Sequence, residues 1–280
     1  MELTVSQNQK RKHEELLLEA KNFLDAYKKE VGESMMININ GALMEGGGSI
    51  VRLSLALSAL TQQPFTIENI RAKRENPGLR EQHLQAIRAV KKLCNAEVTV
   101  DELYSKNLIF SPNKITKKQL NIKIGTAGST SLILQTLFLA SFRNDLRIRM
   151  EGGGTWNLHA PSVLYLQEVF LPLLKLNNKI EILRNGYYPK GGAVVDSKIN
   201  KTELDHFDLM ERKNLNDIKV FSIASNHLKK SNVAERQSQS AINLLGRNYD
   251  NIIRKISYVN SINPGSGILV VADFGNTKMK

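Results

Sequence analysis

The chain has 280 residues with 41% hydrophobic and 24% charged positions, a composition that supports a sizeable buried core. Its apolar runs are too short to span a membrane, and the single Cys94 rules out an internal disulfide. Together with an N-terminus that does not read as a secretion signal, this predicts a reducing, cytoplasmic setting. The 39 Lys and Arg against 27 Asp and Glu give a net charge of +12, a surplus that favours a polyanionic partner or a nucleotide.

Residues 1–34 read as a separate N-terminal extension. Ser6 and Gln9 have the spacing of a capping box, and Leu16, Leu17, Ala20, Phe23, Leu24, Tyr27 and Val31 follow helical periodicity up to Gly32. From Ile37 the pattern predicts strand 37–44, helix 49–61, strand 65–71, helix 79–93, and closing strands 97–100 and 107–110. A second series follows: strand 120–124, helix 129–142, strand 146–150, helix 161–174, and strands 180–184 and 193–196. Both read βαβαββ, so an α+β (α/β repeat) fold is expected, with tandem repeats sharing one body over 35–200. A polar stretch then leads to strand 218–224, helix 233–245 and strands 253–258 and 268–272, a smaller α+β domain over 201–280.

Chemistry concentrates at the turns. Glu45-Gly46-Gly47-Gly48 ends a strand and opens an apolar helix, with Arg52 near the end of its first turn. Glycines let backbone N–H groups approach a ligand, and a helix N-terminus favours an anion. Arg71, Lys73 and Arg74 close the next strand and Gln82-His83 begins the next helix, an arrangement suited to phosphate. Gly125-Thr126-Ala127-Gly128-Ser129-Thr130-Ser131 opens a helix on which Gln135 is the polar exception. Its hydroxyls suit a phosphate or sugar cradle and equally an ordinary helix cap. Glu151-Gly152-Gly153-Gly154 repeats the glycine design. Tyr187-Tyr188-Pro189-Lys190-Gly191-Gly192 suits either stacking on a nucleic acid or a packed hairpin turn. The five histidines show no metal-ligand spacing.

Taken in order, these segments resemble the RNA 3'-terminal phosphate cyclase family. The resemblance rests on Glu45-Gly46-Gly47-Gly48 with Arg52; Arg71-Ala72-Lys73-Arg74 with Pro77-Gly78-Leu79 and Gln82-His83-Leu84; and Gly125 to Ser129 with Leu134-Gln135-Thr136. Ala160-Pro161, Tyr188 to Gly192 and Val233-Ala234-Glu235-Arg236 extend it. It implies a large domain of βαβαββ repeats like the enolpyruvate transferases, interrupted by a small α+β insert.

It also implies ATP-dependent conversion of an RNA 3'-phosphate to a 2',3'-cyclic phosphate, through enzyme-AMP and RNA-adenylate intermediates, assisted by Mg2+ or Mn2+. By this resemblance Glu45 lies near metal and phosphates, Arg52 and Gln135 bind the nucleotide, and Arg71, Arg74 and Gln82 bind the RNA end. The family places its nucleophilic histidine in a third repeat after the insert, and none of the histidines here matches it. Ser162-Val163-Leu164-Tyr165 also stands where the family has an acidic residue. The expectation is a fragment, split enzyme or degenerate homologue, inactive alone, that self-associates or receives the third repeat from a partner chain. A non-catalytic RNA-binding or assembly homologue is the alternative. An enolpyruvate transferase, acting on a small anionic metabolite, is disfavoured by the basic and Gln-His motifs.

Overall fold

The computed structural model describes residues 36–99, 101–202 and 213–275 and the backbone of Lys278–Met279. The helix expected within residues 1–34 lies outside them. The fold is α+β. β1 (Ile37–Asn40), α1 (Gly48–Thr61), β2 (Phe65–Glu68), α2 (Glu81–Cys94), β3 (Glu97–Thr99) and β4 (Leu108–Ser111) come first. They form a sheet ordered β1-β2-β4-β3, with β1 and β2 parallel and the other pairs antiparallel. Register places Phe65 opposite Phe110, with ring centroids 5.7 Å apart. Both residues are buried, as are Ile67 and Leu108. α1 buries Val51, Leu55 and Ala59 and packs on α2, whose Leu84, Ile87, Val90 and Leu93 are also buried.

The next elements are β5 (Gln119–Ser129), α3 (Thr130–Ser141), β6 (Leu146–Gly154), β7 (Lys179–Arg184) and β8 (Val194–Ile199). Between β6 and β7 lies α4, made of Val163–Tyr165, a π-helical stretch Leu166–Phe170 and Leu171–Leu173. The sheet order β5-β6-β8-β7 has the same pattern of one parallel and two antiparallel pairs as the first sheet. Leu120, Ile122 and Ile124 alternate inward on β5, as do Leu146, Ile148 and Met150 on β6.

The third sheet uses β9 (Asp217–Ser225), β10 (Ile252–Val259), β11 (Ser266–Asp273) and β12 (Lys278–Met279), in the order β10-β9-β11-β12. α5 (Val233–Leu245) packs against it. Phe221, Leu269 and Val271 of this sheet form one cluster with Val169 of α4, and Trp156 packs against it. The chain divides into two compact units, residues 1–117 with 136–141, and residues 118–135 with 142–280.

Three elements differ most from their predicted extents. β1 stops at Asn40, because the Asn40 Oδ1 accepts the Ala42 N–H at 3.0 Å and Met44 and Gly46 take positive φ. β5 runs on through its glycine segment, with a register irregularity between Ile124 and Ser129. β6 likewise continues through Gly154, so the third glycine run does not open a helix: α4 begins only at Val163. The cause is close packing. A Cβ on Gly152 would stand 1.9 Å from the Ile124 carbonyl oxygen, and one on Gly186 would stand 2.2 Å from that of Gly153. Only glycine lets these backbones touch.

Candidate anion site at the glycine turn

In the first unit, the turn after β1 delivers an open helix end. Gly47 is the N-cap of α1 in an extended conformation, with no side-chain cap, and no acidic residue occupies the first turn. The N–H groups there keep their partial positive charge. A Cβ on Gly47 would lie 2.9 Å from the Glu45 Oε1 and 3.6 Å from an Arg74 terminal nitrogen, so both side chains gather over this glycine. Glu45 and Arg74 are 3.9 Å apart and substantially exposed, a loose pair that a ligand could separate.

The loop between β2 and α2 is tied to that turn. The Lys73 Nζ donates to the Met44 carbonyl at 3.0 Å. Arg71 sits at φ +54, and its guanidinium donates to the Asn76 and Gly78 carbonyls at 2.7 and 3.1 Å. Part of Arg71 is therefore spent bracing the loop that carries Arg74. Burial, then the nearby Arg80 and Arg74 charges, lower the Arg71 pKa. Arg52, one helical turn into α1, is half-buried and has no hydrogen bond or ion pair among the described residues; burial lowers its pKa too.

Beneath α1 lies a residue that the sequence reading passed over in favour of its neighbour. Gln82 is exposed, while His83 is buried, with only 1% of its surface accessible. The His83 Nδ1 accepts the Arg80 backbone N–H at 3.0 Å, closing the start of α2. Its Nε2 faces Gly48, where a Cβ would come within 2.1 Å, and lies 3.5 Å from the Gln82 amide nitrogen. Burial, then the charges of Arg71, Arg52 and Arg80, push its pKa down to about 3. The ring is thus neutral near pH 7, and the Arg80 bond leaves its proton on Nε2, aimed at the start of α1. The available signal was the three-residue step from Arg80 to His83, a capping spacing disguised by the absence of Ser, Thr or Asp.

Gln135 lies on α3 in the second unit, half-buried, with no hydrogen-bond partner among the described residues. The hydroxyls before it have partners within the chain. Ser129 caps α3 through the Leu132 N–H. Thr130 donates to the Gly154 carbonyl and Ser131 to that of Pro161. In the tyrosine turn Tyr187 is buried against Gly265, whereas Tyr188 is 81% exposed. No group of three or more His, Cys, Asp or Glu able to hold a metal occurs among the described residues. Glu45 offers one exposed carboxylate, which fits a Mg2+ or Mn2+ carried on substrate phosphates and not an all-protein cage. No helix among the described residues is long and apolar enough to cross a membrane.

Fold and site define an α+β protein with an uncapped, glycine-opened helix end ringed by arginines. Residues 43–263 match the family described as RNA 3'-terminal phosphate cyclase. A protein of that name from Saccharolobus solfataricus is 42% identical over 217 residues, covering 76% of this chain and 63% of the relative. Its namesake from Methanothermobacter thermautotrophicus is 39% identical over 251 residues, covering 87% and 73% respectively. One from Sulfurisphaera tokodaii is 43% identical over 210 residues, covering 74% and 61%. The chain belongs to the RNA 3'-terminal phosphate cyclase family, and spans less than two thirds of the length of two of these three relatives.

Proposed function

We propose that this chain supplies the phosphate-binding part of an ATP-dependent RNA 3'-end cyclisation. In this reaction AMP passes from ATP to the RNA 3'-phosphate with release of pyrophosphate, and the vicinal 2'-hydroxyl then displaces AMP to leave a 2',3'-cyclic phosphate. The observation that supports the reading is the uncapped start of α1 with neutral His83 below it, Arg52 beside it and Glu45 and Arg74 over Gly47. Such donors bind phosphate and stabilise charge that develops as bonds to phosphorus change.

In this reading Arg74 and Arg52 take phosphate oxygens, Arg71 contributes its remaining donors, and Gln82 positions the RNA end. Gln135 is assigned to nucleotide contact. The Nε2–H of His83 is a donor to bound phosphate and not a nucleophile, because its other nitrogen is held by Arg80. Glu45 would contact a divalent cation, whose chemistry is to neutralise phosphate charge when bound. The adenylate acceptor is assigned to no histidine of these 280 residues.

Binding of one RNA carrying either a 3'-phosphate or a 3'-hydroxyl tests the reading. The chain should prefer the phosphate, and Arg74→Ala or Arg52→Ala should cut that preference roughly 10-fold or more, the loss of a charged hydrogen bond. Equal affinity for both ends in the unaltered chain would overturn the proposal.

A further inference from the structure

The second sheet turns one face outward, and its register sorts the exposed side chains into rows across the strands. In one row Arg149 of β6 stands opposite Asp196 of β8, which stands opposite Glu181 of β7. Arg149 bonds Asp196 at 2.7 Å and approaches Glu151 at 3.5 Å, so two of this face's acids are already paired. The adjacent row is Arg147, Lys198 and Lys179, directly opposite one another on three consecutive strands. All three are exposed, and none of their side chains has a hydrogen bond or ion pair among the described residues. Glu181, two residues along β7 from Lys179, forms no ion pair with the row either.

Like charges directly opposite on neighbouring strands are destabilising. The strands lie about 4.8 Å apart, well inside the screening length of about 8 Å at physiological salt. Two shallow depressions, of about 390 and 590 Å3, share Gln119, Arg147 and Lys198. One extends over the Arg149–Asp196 row and the other toward Asp145 and Asn200.

We propose that Arg147, Lys198 and Lys179 form a track for the sugar-phosphate backbone of RNA, a contact made by the second unit in addition to terminal-phosphate recognition. A line of unpaired cations about 10 Å long at strand spacing suits successive phosphates better than one small anion. The choice of RNA over other polyanions rests on the function proposed above.

The test measures binding of a short labelled single-stranded RNA, with a 3'-phosphate or a 3'-hydroxyl, across a salt series. It uses the full chain, Lys179→Gln, Lys198→Gln and the triple variant with Arg147→Gln. Each phosphate neutralised on a single strand contributes about 0.7 to the slope of log affinity against log salt. The triple variant should lose about 2 from that slope, and Lys179→Gln, on an edge strand, about 0.7. The preference between the two RNA ends should not change. Lys198→Gln removes the central charge of the row, so its melting temperature should equal or exceed that of the parent. A salt slope unchanged in the triple variant, or in Lys179→Gln if the triple variant does not fold, would overturn the track. A lower melting temperature for Lys198→Gln would overturn the premise of repulsion. A falling slope with equal affinity for both ends would keep the track and sink terminal-phosphate recognition.

Discussion

His83 keeps its imidazole uncharged among three arginines, and that has a price in acid. Its folded pKa, about 3, lies below the ordinary 6.5. Between those values the unfolded chain binds a proton that the native chain refuses, so stability falls as pH drops from about 6.5 toward 3 and is fully present above. The slope contributed by this one group approaches about 1.4 kcal/mol per pH unit. Denaturant titrations at a series of pH values should show His83→Gln with a shallower decline, since glutamine can still accept the Arg80 N–H; an identical decline would refute the assignment. This residue also marks what the sequence concealed. Gly48 and Arg52 were legible as a glycine-opened helix start carrying an arginine, because glycine and arginine act through general chemistry. Gln82 and His83 are neighbours in sequence, and only the helix phase of α2, which buries one and exposes the other, decides which reaches Gly48.

At the level of elements, periodicity found the strands and helices but misjudged the ends of β1, β5 and β6, where glycine took part. Gly152 and Gly153, at φ +90 and +75, let β6 continue where a composition rule reads a break. Long-range backbone contact decided the outcome, since Gly152 lies against Ile124 and Gly191 against Gly153, partners far away in sequence. Gly152→Ala should therefore destabilise by roughly 3 kcal/mol or more, combining an unfavourable φ with overpacking. Chemical unfolding measures this directly, and a loss below about 1 kcal/mol, ordinary for an unremarkable surface position, would show that β5 and β6 can separate. The hydroxyls of Ser129, Thr130 and Ser131 teach the same lesson. Their residue types suit a phosphate or a cap; Ser129 accepts the Leu132 N–H as a cap, while Thr130 and Ser131 donate to the distant Gly154 and Pro161 carbonyls.

Across the whole molecule, the α+β class was readable because alternating apolar runs and glycine turns are local signals, whereas pairing order is not. Neither the matching orders of the first two sheets nor the cation row of the second can be read from composition, since a charge of +12 does not say where cations align. The proposed reaction also makes a claim about the chain as a unit. Incubated with ATP labelled in its α-phosphate, these 280 residues should acquire no stable AMP adduct while still binding 3'-phosphorylated RNA. A covalent label would place an adenylate acceptor within this chain and overturn that claim. A last consequence comes from Trp156, the chain's only tryptophan. A Cβ on Gly267 of β11 would meet its ring at 2.3 Å, and the ring also packs on the Phe221–Leu269–Val271 cluster. Its emission is therefore a built-in optical gauge of whether the third sheet stays seated on α4, readable in the native chain without attaching any dye.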